Sequence, residues 1–541
     1  MKIWLYDTTL RDGAQAEGIS LSLADKLKIA RQLDEMGIPF IEGGWPGANP
    51  KDVQFFWKLQ EEPLQQAEVV AFCSTRRPHK SAAEDKMLQA ILSAGTLWVT
   101  LFGKSWDLHV RESLKTSLEE NLAMISDSIA YLISQGRNVI YDAEHWFDGY
   151  KHNPEYALET LRAAIAAGAS WLVLCDTNGG SLPHEISEIV EEIYAAIPEL
   201  NQPDAPQLGI HPHNDGGTAV ANAIAAVMAG STMVQGTING YGERCGNVNL
   251  CSLIPNLQLK LGYDCLSDSQ LAQLTTTSRL VSETVNFPPE GRAPFVGHSA
   301  FAHKGGIHVS AVAKNPLTYE HIIPEAIGNQ RRIVISDQSG LSNVLHYAEK
   351  FGIELEKQDP RCRKILERLK HLENQGYHFE AAEASFELMM RSQLEDYAPL
   401  FQLQTCMIHC NLYQESHSID SHTVATIKVE LNGKQLLEVA EGNGPVAALD
   451  SALRKALTEF YPAIANFRLT DYKVRILDGT LGTAAQIRVL VSSSNGKQTW
   501  TTLGVSSNII DASYQAVVEG IEYGLLLNSF CKIPETKIEI G

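Results

Sequence analysis

Through its first 265 residues the chain repeats one pattern: a short apolar run, a polar turn, then a longer stretch with helical spacing. The apolar runs begin near Ile3, Phe40, Glu68, Leu97, Asn138, Trp171, Leu208 and Met233, about 25 to 41 residues apart. Strands that alternate with helices form a parallel sheet. Eight such units in about 250 residues predict a closed (β/α)8 barrel. The helices carry their own punctuation. Ser22 with Asp25 three residues on marks a capped start. Leu23, Leu27, Ala30 and Leu33 then recur on one face, and Gly37 stands where the helix must stop. A doubly wound open sheet permits the same alternation; the placement of polar residues at the strand ends favours the barrel.

From about 266 to 395 the rhythm stops. Phe287-Pro288-Pro289 and Lys314-Asn315-Pro316 read as turns, and helices are predicted near Ser342–Phe351 and Arg361–Gln375. The last 145 residues repeat internally. Ala425 to Leu431 alternates as a strand, turns at Asn432-Gly433, and leads to a helix from Pro445 to Leu457. A second copy runs from Gln486–Val491 through Asn495-Gly496 to a helix from Asp511 to Tyr523, and Asn-Gly-Lys-Gln occurs at both turns. Asn-Gly between extended runs is a hairpin signal. Two units of three elements each predict a pseudosymmetric α+β module.

Composition narrows the class. Of 541 residues, 44% are hydrophobic and 20% charged, as in an ordinary globular protein of more than one domain. A net charge of -20 disfavours nucleic acid and anionic membranes as partners. No apolar stretch is long enough to span a bilayer, and the start of the chain lacks the pattern of a secretory signal. Nine scattered Cys without a CxxC pair fit reduced thiols in a cytoplasm.

In a barrel of this kind chemistry sits at the C-terminal ends of the strands, and polar residues concentrate there. Strand 1 runs into Asp7-Thr8-Thr9-Leu10-Arg11-Asp12-Gly13, strand 2 ends at Glu42, and strand 5 runs into Asp142-Ala143-Glu144-His145. Strand 6 ends at Cys175-Asp176-Thr177-Asn178, strand 7 at His211-Pro212-His213-Asn214-Asp215, and strand 8 leads into the turn Gly240 to Asn247. Residues i and i+2 of a strand share a face, so His211 and His213 can share one metal, with Asp12 as a third ligand from the strand-1 loop. Two His and a carboxylate leave positions open for substrate. The plainer reading is a structural pair of histidines. Nitrogen donors favour Zn, Mn or Co, while Mg with retained waters is also accommodated. Arg11 either binds a substrate carboxylate or developing enolate, or pairs with a rim carboxylate. Loops after strands 7 and 8 often hold phosphate in this fold.

The motifs Asp7 to Gly13, His211 to Asp215 and Gly242-Glu243-Arg244-Cys245-Gly246-Asn247 resemble the signatures of the 2-isopropylmalate, homocitrate and citramalate synthase family over nearly the whole chain. Ile41 to Asp52, Asp142 to Tyr150 and His303 to Ser310 resemble its long-form citramalate branch in particular. The resemblance implies a divalent metal on Asp12, His211 and His213, with Asn247 at or near it. It places Arg11, Glu144 and Thr177 around a 2-oxo acid. It makes 266–395 the family's linker subdomains, where a histidine, here His308, reaches an active site, often the partner subunit's; Tyr319 is a weaker candidate. Many relatives carry an acidic residue two places after that histidine, where this chain has Ser310. Residues 396–541 resemble the LeuA-type allosteric dimerisation domain, which implies a homodimer and an isoleucine effector, or dimerisation alone.

The implied reaction joins acetyl-CoA to pyruvate. Arg11, Glu144 and His308 are the expected catalytic residues, either of the last two being the base. Arg11, Thr177, Glu42 and Tyr319 are expected to bind substrate. Trp45 and Trp146-Phe147 are expected to narrow the acceptor pocket. The alternatives are a 2-isopropylmalate synthase taking 2-oxoisovalerate, a metal-dependent carbon–carbon lyase, a metal hydrolase, or a binding protein without catalysis.

Overall fold

The computed structural model describes residues 1–394, 397–415, 418–431 and 433–530. Eight parallel strands carry the first part of the chain: β1 (Trp4–Asp7), β2 (Phe40–Gly44), β3 (Glu68–Ser74), β4 (Trp98–Lys104), β5 (Asn138–Glu144), β6 (Trp171–Asp176), β7 (Gln207–Pro212) and β8 (Met233–Gly236). Each pairs with the next, and β8 pairs with β1 from Trp4↔Met233 to Asp7↔Gly236. That last pairing closes the barrel and excludes the open sheet.

Strand side chains alternate between the barrel interior and the helical layer outside. Leu5, Ile41, Ala71, Val99, Tyr141, Leu172, Ile210 and Val234 face the helices and join one large core. Tyr6, Phe40, Val70, Ile140, Trp171, Val173 and Met233 fill the interior, where Trp4 of β1 meets Trp171 of β6 at 6.4 Å between ring centres. The same alternation continued toward the strand ends puts His211, Asp142, Glu144 and Gln235 on the interior side. The helix Leu23–Glu35 forms as its caps predict: Ser22 Oγ accepts from the Asp25 N–H at 3.2 Å, Asp25 answers the Ser22 N–H at 2.8 Å, and Gly37 takes φ +82°.

The chain forms two compact units: residues 1–301 with 321–331, and residues 302–320 with the described residues from 332 onward. In the second unit β9 (Ala302–His303) pairs with β10 (Arg332–Ile333), and the helices Leu341–Lys350 and Pro360–Asn374 fall where periodicity placed them. The internal repeat is present with four elements per copy, one more than the sequence predicts. β11 (Gln402–Glu415), β12 (Ser418–Leu431) and β13 (Lys434–Gly442) precede the helix Pro445–Leu457. β14 (Arg468–Ile476), β15 (Ile487–Ser494) and β16 (Thr499–Ser506) precede the helix Ile509–Phe530. Each extra strand comes first in its copy, before the alternation that marks the unit. Asn495 ties the β15–β16 turn by accepting from the N–H groups of Lys497 and Gln498 at 3.0 and 2.8 Å. The matching Asn432 lies outside the described residues. Among the described residues no helix is long and apolar enough to cross a membrane.

Candidate metal centre and active site

The site is built where β1, β7 and β8 end side by side. After β1 the chain turns sharply, and Asp7 holds the turn by accepting from Thr9 N–H (2.9 Å) and Thr9 Oγ1 (2.8 Å). Thr9 Oγ1 in turn accepts from Ile238 N–H at 2.9 Å, and Thr8 N–H donates to the Gly236 carbonyl at 2.8 Å, fastening the turn to the end of β8. The end of β7 is fastened to the glycine-rich turn: Asn214 N–H donates to Gly246 O (2.8 Å) and Val248 N–H to Pro212 O (3.1 Å). That turn needs its glycines. A Cβ on Gly246 (φ +87°) would sit 2.0 Å from the Gly240 carbonyl oxygen, and one on Gly242 would sit 2.0 Å from Asn247 Oδ1.

The result is a buried cluster of Asp12, His211 and His213, with one ligand atom of each within 4.8 Å of the others. His211 Nε2 lies 3.0 Å from Asp12 Oδ2, and Asn247 Nδ2 lies 3.0 Å from that oxygen and 2.9 Å from that nitrogen. Burial alone would raise the Asp12 pKa, but Arg11 and the two imidazoles outweigh it and hold the carboxyl well below its usual range. Burial would lower His211, yet Asp12 outweighs it and raises the pKa, so the spot between them favours a positive charge. Burial and the neighbouring His211 push His213 down to about 4, leaving a neutral imidazole, the form that binds metals. His213 Nδ1 and Asn247 Oδ1 are buried and have no hydrogen-bond partner among the described residues. A buried unpartnered imidazole nitrogen is costly, and a divalent ion would satisfy it. The donor set of two imidazoles and one carboxylate fits such an ion.

Arg11 lines a cavity of about 230 Å³ beside this cluster. Its Nε donates to Glu42 Oε2 at 2.7 Å, one terminal nitrogen is 3.6 Å from Asp12, and the guanidinium lies 3.9 Å above the Phe72 ring. Glu144, from β5, and Thr177, after β6, also line the cavity. Glu144 forms an ion pair with Lys104 at the end of β4, and Thr177 Oγ1 accepts from the His145 N–H at 2.9 Å. His308 and Tyr319 belong to the second unit, where their rings stack at 4.1 Å.

Residues 2–281 match the HMGL-like family model, 295–377 the homocitrate synthase post-HMGL domain-like model, and 380–525 the LeuA allosteric (dimerisation) domain. An (R)-citramalate synthase of Synechocystis sp. is 71% identical over 97% of this chain and 96% of its own. The chain belongs to the (R)-citramalate synthase family. The relative of that name in Geobacter sulfurreducens is 52% identical over 96% of this chain and 97% of its own. A probable 2-isopropylmalate synthase of Methanopyrus kandleri is more distant, 32% identical over 96% of this chain and 98% of its own.

Measured against this family's expected site, two placements differ from the sequence reading. Glu42 does not line the cavity. It is fully buried behind Arg11, and its two oxygens are taken by Arg11 Nε and by Tyr6 OH (2.9 Å). Arg11 thus pairs with the buried Glu42 carboxylate and still lines the cavity. Trp146 and Phe147 do not narrow the pocket either; both are 0% exposed in the core outside the barrel. Trp45 does line the cavity, packed edge-on against Phe72 (5.9 Å) and Phe102 (5.7 Å). Lys104 was missed because it is a single charge closing an apolar strand run, and Phe72 and Phe102 because they sit inside such runs. Gln235 was missed for the same reason. It is fully buried on β8, with Oε1 2.6 Å from His211 Nδ1 and Nε2 donating to Asp142 Oδ1 at 2.9 Å. Burial pushes Asp142 up to about 7 despite the neighbouring His211. Period-two counting along each strand, from Val70 on β3, Trp98 on β4 and Met233 on β8, is the signal that would have found these inward-facing positions.

Proposed function

We propose that this family member condenses acetyl-CoA with pyruvate and hydrolyses the thioester formed, releasing CoA and (R)-citramalate. The observation that carries the reading is the buried Asp12–His211–His213 cluster opening on a small aromatic-walled cavity. Asp12, His211 and His213 would hold a divalent ion (Mn, Zn, Co or Mg), with Asn247 adding Oδ1 after an amide flip. A bound ion supplies Lewis-acid polarisation of the acceptor's keto group.

The chain's own residues do the rest. Arg11, aimed by Glu42 and Phe72, neutralises the negative charge that grows on the keto oxygen as the carbon–carbon bond forms. Glu144, held at the rim by Lys104, or His308 removes a proton from the acetyl methyl group. The carbon left behind attacks the keto carbon. Water then cleaves the thioester and CoA leaves as the thiol. Thr177 and Tyr319 orient the substrates. Trp45, Phe72 and Phe102 form a wall that suits an acceptor with only a methyl group beyond the ketone.

Residues 1–265 act as the catalytic barrel, 266–395 as linker subdomains that bring His308 to a site, and 396–541 as the dimerising, effector-binding domain. The effector is isoleucine, the branched-chain amino acid to which citramalate leads, and the enzyme works as a cytoplasmic homodimer. Thiol release from acetyl-CoA by the metal-loaded protein, across pyruvate, 2-oxobutyrate, 2-oxoisovalerate and 2-oxoglutarate, tests the assignment. Pyruvate is expected to dominate. A preference for 2-oxoisovalerate would make this a 2-isopropylmalate synthase, and silence with all four would revive the lyase reading.

A further inference from the structure

We propose that Gln235 and Asp142 form a relay across the barrel that fixes the tautomer of His211 and so readies its Nε2 for a divalent cation. The relay rests on the reading of His211 as a metal-holding residue. Its three members come from β7, β8 and β5, and all are 4% exposed or less. His211 Nδ1 is 2.6 Å from Gln235 Oε1, and Gln235 Nε2 is 2.9 Å from Asp142 Oδ1.

The orientation of the glutamine amide decides the argument. Asp142 Oδ1 accepts from Gln235 Nε2, and a carboxyl oxygen without a proton can only accept, so the amide turns its NH2 toward Asp142. That turns Oε1 toward His211. An amide oxygen also only accepts, so Nδ1 must carry the ring proton. In a neutral imidazole the free electron pair is then on Nε2, the nitrogen that faces Asp12 and Asn247 at 3.0 and 2.9 Å. Outer-shell partners of this kind fix the orientation and tautomer of metal-binding histidines.

Neither Leu nor Glu does the same at position 235. Leu would strand both Nδ1 and the Asp142 oxygen. Glu would accept from His211 but set a second carboxylate against Asp142. Because β5 and β8 stand three strands apart in the barrel, the Gln235–Asp142 bond also ties non-adjacent walls together.

The test uses metal-stripped full-length protein titrated with Co2+ at about pH 8, read by the visible absorption of the bound ion, with circular dichroism confirming the fold. Gln235→Leu is expected to weaken Co2+ binding about 10- to 100-fold, the usual cost of losing an outer-shell partner, and to alter the absorption band. Asp142→Asn, which keeps an acceptor oxygen for Gln235, is expected to bind Co2+ better than Asp142→Leu. A folded Gln235→Leu with wild-type affinity and band overturns the relay. If that variant does not fold, the Asp142 pair decides, and equal affinities for Asn and Leu overturn it. Wild-type protein that binds no Co2+ overturns the metal reading itself, so the two failures are told apart.

Discussion

Glu42→Gln separates a residue that touches substrate from one that aims a neighbour. Glu42 has no exposed surface and accepts from Tyr6 OH at 2.9 Å and Arg11 Nε at 2.7 Å. Gln is nearly the same size but neutral with one acceptor oxygen: even if Tyr6 OH turns to accept from the new NH2 and donates to Thr100 Oγ1 2.6 Å away, the ion pair that holds Arg11 is lost. The variant loses a charge-assisted hydrogen bond, about 1.5–3 kcal/mol. Unfolding entropy near roughly 2.1 cal/mol/K per residue, over the ~300 residues of the barrel unit, converts this to a Tm lower by about 2–5 °C. Arg11 keeps its charge but is no longer held over Phe72 and beside Asp12. Misplacement of about 1 Å costs on the order of 10²-fold in rate, so kcat should fall by up to that factor with little change in KM for the 2-oxo acid. Scanning calorimetry and steady-state thiol release with pyruvate varied give both quantities. An unchanged Tm with a raised KM would refute the reasoning and return Glu42 to the substrate.

Other expectations follow from the same geometry. Burial pushes the Asp7 carboxyl up to about 7 from its ordinary 3.8. The folded chain thus holds this proton more tightly than the unfolded chain, and stability from this group is full below about pH 4 and lost as pH rises through about 7. Asp7→Asn keeps an acceptor for Thr9 and removes that loss, so variant Tm minus wild-type Tm should increase between about pH 5 and pH 8; a flat difference contradicts the assignment. Gly246→Ala must place a side chain in the left-handed region, costing about 1–2 kcal/mol before the clash with Gly240 O is counted, so both Tm and Mn2+ affinity should drop, and an unaltered Mn2+ titration would show that the turn does not support Asn247. Glu144→Gln and His308→Ala divide the base: the residue that takes the methyl proton lowers kcat at least about 10²-fold when replaced, and a variant with near-normal turnover is removed from that role.

The barrel was legible because each strand is an apolar run closed by polar residues, and eight of them recur at regular spacing. The Asp12–His211–His213 cluster was legible because His211 and His213 sit two apart at a strand end and Asp12 ends a neighbouring loop. The second layer was not. Gln235 lies in Met233-Val234-Gln235-Gly236, and its task depends on Asp142, 93 positions away across the barrel. Lys104 pairs with Glu144 only because β4 and β5 run in register there, Lys104↔Glu144. Glu42 was expected to bind substrate because it ends a strand, but which group its oxygens meet is set by Tyr6 and Arg11 on β1 and its loop. Trp146 and Phe147 follow directly on the rim residues Glu144 and His145, yet the chain has already turned into a helix, Trp146–His152, that buries them outside the barrel. In the C-terminal module the first strand of each repeat was missed because it stands outside the alternation that defines the unit.

The central claim is carbon–carbon bond formation between an acetyl methyl group and pyruvate. The direct measurement is carbon-13 NMR of protein incubated with pyruvate and acetyl-CoA labelled at the methyl carbon, once after chelation and once after a divalent ion is restored. The label should move into the methylene of citramalate only when the ion is present. Label that stays in acetyl-CoA or passes to acetate under both conditions would contradict the account.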